Sequence, residues 1–342
     1  MHNVKKLAGA ALLSALMSGV AFASPSYTFK LVDKIPLPTK PGHGDWVSFD
    51  PGNNDVYVSL NGAGMSVIDT KTNKVIHTFM NIASPNTMTF DANYVYETAA
   101  AGPGAGMQNQ IIVIDKKTWT VVDQVTTKGT SPDGIFIDPA NNDLYVVSDD
   151  DNWIEVYTTG AHPTFIKKFA LYPSNPVSGP DVANLFNGTI YATDDAWVVQ
   201  VNPNTGAIGT KMNYNFKLNK FGGTKDMFWD KMHNAVWVAT TNPKAAGMMI
   251  VNPTTLAIEK KLPETSGVDA VAWDRKLGLV YAFEGATPGF DVYSIADEKR
   301  IATVKTGMKK PTHSGAVDPA THMIYAYAGG DAAMYVYQPV AN

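Results

Sequence analysis

The stretch Ser131–Ser148, SPDGIFIDPANNDLYVVS, decides the fold. Apolar Ile135, Phe136 and Ile137 run into Asp138. A Pro-Ala-Asn-Asn turn follows, and Tyr145 stands seven residues after that Asp inside a second apolar run. Short runs of β-branched and aromatic residues, bounded by Asp, Asn and Pro, read as two strands joined by a tight turn. The phrase recurs: Asp50 leads to Tyr57, Asp230 to Trp237, Asp274 to Tyr281 and Asp318 to Tyr325, each with the same spacing. Two degenerate copies fill the gaps, one with Asp91 and Tyr96, the other with Phe186 in the Asp position before Tyr191. The seven copies lie 41 to 48 residues apart.

Each copy continues with a second apolar stretch ending in a turn, such as MSVIDTKTNK or MMIVNPTTL. A third short run usually follows, such as VIHTF or RIATV. Nothing carries the 3.6-residue period of a long helix. Four short strands per unit, repeated seven times, specify an all-β, seven-bladed β-propeller with four antiparallel strands per blade. The last copy stops at MYVYQPVAN without its outer strand, and the orphan segment Tyr27–Leu37 precedes the first copy. Its alternation of Phe29 and Leu31 with Lys30 and Asp33 predicts the missing strand. Pairing there removes an open sheet edge.

Residues 1–23 read as a signal peptide: Lys5 and Lys6, an apolar run from Leu7, and the small-residue site Ala21-Phe22-Ala23. The expected mature chain, residues 24–342, is one propeller domain in the periplasm or secreted, with no membrane span after cleavage. Its formal charge falls from −4 to −6 with the loss of the two lysines. Only Arg275 and Arg300 are arginine. An acidic chain so poor in the bidentate residue of phosphate recognition is not expected to bind duplex nucleic acid. Cysteine is absent, which excludes disulfides, thiolate metal sites, thiol nucleophiles and the thioether attachment of a c-type haem.

The phrase of Asp-Pro, polar turn and Tyr-Val in SPDGIFIDPANNDLYVVS, with Val-Ile-Asp-x-x-Thr in MSVIDTKTNKVIHTF, resembles the YVTN-type repeat of periplasmic YncE-like proteins. The resemblance spans the mature chain and implies a seven-bladed propeller. It is weak for function, since propellers of this kind host binding proteins, dehydrogenase subunits, lyases and lactonases. The His-rich signature of the phosphogluconolactonase branch is missing.

Counting five residues back from each repeat position gives the entry to each innermost strand: Asp45, Asn86, Asp133, Asp181, Lys225, Asp269 and His313. Together they predict a polar ring at the top mouth of the central channel, where crowded carboxylates attract cations or a polar ligand. His43 and His313 enter blades one and seven, which closure makes neighbours. With Asp45 and Asp269 they form a candidate divalent-metal site, of the donor set that suits Zn, Cu or Ni. The loop charges Glu97, Asp149, Asp150, Asp151, Asp194, Asp195, Glu284 and Asp331 read as solvated. His77, His162, His233 and His322 read as surface residues, and Trp46, Trp229 and Trp273 as core packing. The turns Asp50–Asn54 and Asp69–Asn73 read as hydrophilic spacers on the opposite face.

The leading expectation is a periplasmic binding protein that uses its acidic top face for a small ligand, a metal ion or a protein partner. The alternatives are a metal-assisted lyase or hydrolase, with His313 or His43 as general base, and a subunit of a periplasmic redox complex that carries no haem itself.

Overall fold

The repeated Asp binds its own turn. Asp50 Oδ1 accepts from the Gly52 N–H at 2.9 Å, Asp138 from Ala140 at 2.8 Å, Asp230 from Met232 at 2.9 Å, Asp274 from Lys276 at 3.0 Å and Asp318 from Ala320 at 2.8 Å. Four residues on, the chain enters the left-handed region in each of these five copies, at Asn54, Asn142, Asn234, Gly278 and His322. Asn, Gly and His tolerate that conformation best, and the Asp side chain holds the bend that leads to it. The aromatic seven residues after the Asp then lies inside: Tyr57, Tyr145, Trp237, Tyr281 and Tyr325 are all buried. Some reach across to the next blade. Tyr145 Oη donates to the Pro203 carbonyl at 3.2 Å, Tyr191 to Pro253 at 2.8 Å, and Tyr325 to Asn73 Oδ1 at 2.9 Å. A phenol suits the slot because its ring fills the inter-blade core while its hydroxyl meets a carbonyl at the edge.

The computed structural model describes residues 26–40, 42, 44–60, 64–100, 108–171, 180–194, 196–214, 223–241, 247–262, 267–285, 287–307 and 311–342. The expected signal segment and His43 lie outside them. The described chain forms seven four-stranded antiparallel sheets. From blade one to blade seven the innermost strands are Val47–Asp50, Pro85–Phe90, Pro132–Asp138, Pro180–Phe186, Thr224–Asp230, Val268–Asp274 and Gly315–Val317. Each adjoins its two neighbours, and the seventh returns to the first. Seven apolar clusters fill the spaces between adjacent blades, one for each pair. Among the described residues the only helices are the single 3₁₀ turns Asp149–Asp151 and Gly329–Asp331.

The N-terminal strand, Tyr27–Pro36, pairs antiparallel with the C-terminal strand Ala333–Ala341 and completes blade seven, as expected. One detail differs from the simple alternation: Leu31 and Val32 are exposed. The register shifts between Leu31 and Asp33, so Val32 is bulged out. A bulge inverts the faces of the residues beyond it. Tyr27 and Phe29 therefore pack toward blade six, where Phe29 meets Tyr281 and Phe290 edge-on at 6.2 Å. Ile35 and Leu37 pack toward blade one. One strand thereby buttresses both flanks of the closing blade.

Candidate functional site

The chain enters each innermost strand at the ring positions, and all seven ring side chains are half-buried there. Three local devices hold the entries. Ser84 and Ser131 adopt left-handed φ values of 44° and 47° ahead of Pro85-Asn86 and Pro132-Asp133. A side chain at Gly44 would collide with the Tyr327 ring, so the approach to Asp45 requires glycine. His313 itself has φ 58°, a strained conformation for a side chain of its size and a feature that clusters at functional sites.

The structure brings most of the ring into mutual reach. His313 Nδ1 lies 2.8 Å from Asp269 Oδ2, and its Nε2 lies 3.5 Å from Asp45 Oδ1. Lys225 Nζ sits 2.8 Å from Asp181 Oδ2. Asn86 faces differently: its amide donates to the Pro132 carbonyl at 2.7 Å and ties blade two to blade three. The Asp133 carboxyl accepts no hydrogen bond from the described residues. Burial, together with the nearby Asp181 and Asp45 carboxylates, pushes it well above the usual carboxylate range. Burial also raises Asp181, against the pull of Lys225. Asp181 and Asp269 hold Lys225 above its ordinary value despite burial. His313 is likewise buried, but Asp269 and Asp45 raise it to about 10.

His313 is therefore an imidazolium at neutral pH, flanked by two carboxylates. His43, the other imidazole of the expected metal set, lies outside the described residues, and a metal ion at His313 would have to displace its proton. Among the described residues no three His, Asp or Glu side chains are arranged to hold a metal ion. Between Asp269 and Asp45, His313 acts as a cation held by two carboxylates.

The sign of its linkage follows. The folded value lies above that of a free imidazole, ~6.5. The ion pairs of His313 stabilise the fold fully below that pH, and their contribution is lost as pH rises through about 10. The stability difference between the wild type and His313→Gln, read from urea midpoints, should accordingly shrink from pH 7 to pH 10. A difference that stays constant would show that His313 is not charged in the folded state.

Beneath the ring lies a residue misread as a solvated loop charge. Glu97 is fully buried, its Oε1 accepting from Ser59 Oγ at 2.7 Å while Oε2 has no partner. Burial and the Asp45 charge push it well above its ordinary value. The signal was present in the sequence: the slot after each repeat aromatic holds Val or Ala in the other six copies, and Glu only here. Asp194 and Glu284 are also buried, while Asp195 lies outside the described residues. The acidic triplet braces the blade-three entry, with Asp150 accepting from Ser131 Oγ at 2.6 Å and Asp151 from Thr130 Oγ1 at 2.8 Å. His322 is more than a surface residue, because its Nδ1 engages the buried Asp274. Trp46 and Trp273 are half-buried and line an open cavity in the lower channel, not only the inter-blade core.

The chain is similar over its full length to a chain in the solved structure described as "Crystal Structure of Mitotic Checkpoint Complex". The TM-score is 0.73 at 10% identity, and the match covers 100% of this chain and 99% of that one. At that identity the likeness shows the propeller fold alone. No family model and no curated protein matches the sequence. Residue chemistry, not kinship, must carry the functional reading.

Proposed function

We propose that this propeller is an exported binding protein whose top-face ring takes a small polar ligand carrying a positive group. The observation that carries the reading is the charge balance of the ring. Four carboxyl groups, Asp45, Asp133, Asp181 and Asp269, converge on two cations, Lys225 and His313. The cations are already paired, so the excess is acidic. A ligand ammonium would supply the missing charge between Asp133 and Asp45. Lys225 and the carboxyl of Asp133 would orient hydroxyl or carbonyl groups of the same ligand, as convergent polar groups do in small-molecule sites. Export to the periplasm rests on the basic, apolar and Ala-x-Ala pattern of residues 1–23. The resemblance to the YVTN-type repeats of periplasmic proteins agrees with export.

The test uses protein recovered from the periplasm, whose N-terminal sequence should begin at Ser24; a start at Met1 overturns export. Titration calorimetry with a panel of small amines, polyols and divalent cations then examines binding. At least one amine should bind the wild type, and about tenfold or more weaker to Asp45→Asn/Asp269→Asn, as expected when charge-assisted hydrogen bonds are lost. Absence of amine binding, or equal binding by the variant, would overturn the ring as the site.

A further inference from the structure

The opposite end of the channel has a different chemistry. Below the ring it opens into a cavity of about 570 Å³, within the range of small-molecule sites. Its walls are largely apolar: Phe49, Met88, Phe90, Met227, Val271 and Trp273. The inner end carries two polar groups. Asp226 accepts from the Met227 N–H at 2.7 Å and the Val271 N–H at 3.0 Å, and Asn184 donates to the Met227 carbonyl at 3.5 Å. At the rim stand Arg275 and Lys276, exposed on the turn after the blade-six inner strand.

These two cations have no carboxylate partner among the described residues. The contrast with the other arginine is informative: Arg300 is committed to the buried Asp291 at 3.0 Å. The Asp residues at the rim are also committed. Asp50 pairs with Lys116, Asp274 engages His322, and Asp318 accepts from Ala320 N and Thr321 Oγ1. The lower mouth of an otherwise acidic protein thus presents two positive groups with no ion-pair partner among the described residues, above an aromatic-walled cavity. Apolar walls offer water few partners, so displacing water with an apolar body is favourable.

From this arrangement we infer that the lower channel is a second binding site, for a small apolar carboxylate. Its body lies against Trp273, Phe49 and Phe90, and its carboxylate meets Arg275 and Lys276. Arg275 supplies the planar fork that grips a carboxylate through two parallel hydrogen bonds, and Lys276 adds a point charge. The site is independent of the ring above it.

Quenching of tryptophan fluorescence and titration calorimetry on the full mature protein test the assignment, with naphthoate, its neutral isostere naphthamide, and decanoate as probes. Naphthoate or decanoate should bind, and naphthoate about tenfold tighter than naphthamide. The tighter of the two acids identifies the body as a flat ring or an acyl chain. In Arg275→Ala/Lys276→Ala, whose changes lie on an exposed turn, naphthoate should fall to the level of naphthamide. Asp45→Asn/Asp269→Asn should bind the acids as the wild type does, which separates this site from the ring. Failure of both acids to bind, no preference for the acid over the amide, or an unaffected rim variant would each overturn the inference.

Discussion

Removal of residues 26–37 should abolish the cooperative unfolding transition or lower its urea midpoint drastically. The segment supplies the outer strand of blade seven and pairs along Ala333–Ala341. Without it, a nine-residue strand presents unpaired amides and carbonyls at an open edge. The apolar loss is as serious. Ile35 and Leu37 are 3% and 5% exposed in the cluster shared with blade one, while Phe29 supports the blade-six side. Two buried aliphatic side chains alone contribute about 3–6 kcal/mol at ~1.5–3 kcal/mol each. That is comparable with the whole stability of an ordinary domain, about 5–15 kcal/mol. Circular dichroism across a urea titration reads the effect. A midpoint equal to that of the intact chain would mean that the ring closes without the strand. Deletion of Val32 alone is the companion control, because it removes only the exposed, unpaired residue of the bulge. Leu31 and Asp33 already lie opposite the adjacent residues Tyr337 and Val336, so the shortened strand keeps its pairing with Phe29 and Ile35 on opposite faces, and the midpoint should stay close to that of the intact chain.

That bulge marks a limit of what the repeat made readable. The Asp, the left-handed turn residue and the buried aromatic answer to local demands, namely an amide to cap, a positive φ and an inter-blade core. Each copy states those demands again, so blade number, strand order and ring positions were legible from spacing alone. Asp45, Asp133, Asp181, Lys225, Asp269 and His313 do converge, because the register from ring position to repeat Asp is constant around the molecule. What spacing cannot carry is the state of those groups. His313 is an isolated imidazole in sequence, but Asp269 and Asp45 raise it to about 10, which favours the imidazolium at neutral pH. The Asp133 carboxyl, at the blade-three entry, is pushed above the usual carboxylate range by burial and by the Asp181 and Asp45 carboxylates. Glu97 was discounted because charges beside loops are usually solvated, although its slot was apolar in every other copy. The lower cavity was invisible for another reason. The volume left between Phe49, Phe90 and Trp273 depends on how blades one, two and six tilt toward the axis, and no single repeat encodes that.

Lys116 shows the same limit in energetic form, and replacing it should be among the most damaging single substitutions in the protein. In the sequence it is the first lysine of an Asp-Lys-Lys-Thr run between two strands. In the fold its side chain is 3% exposed, its Nζ 2.6 Å from Asp50 Oδ2 and 2.8 Å from the Asp91 carbonyl it donates to. Asp50 is equally buried and uses its other oxygen to hold the Gly52 amide in the blade-one turn. The pair therefore locks the turn of blade one to blade two. Lys116→Met would keep most of the volume but leave Asp50 as a buried charge without its counter-ion. Breaking one side of such a pair costs about 3–5 kcal/mol. Removing both charges costs less, because the desolvation of each ion is relieved as well. Asp50→Asn/Lys116→Met should thus recover a substantial part of the loss, since an Asn Oδ1 can still accept from Gly52. Urea midpoints of the two single variants and the double variant form the cycle that measures this coupling. If the effects of Lys116→Met and Asp50→Asn simply add, the pair is not coupled, and the turn is held by Asp50 and the backbone alone.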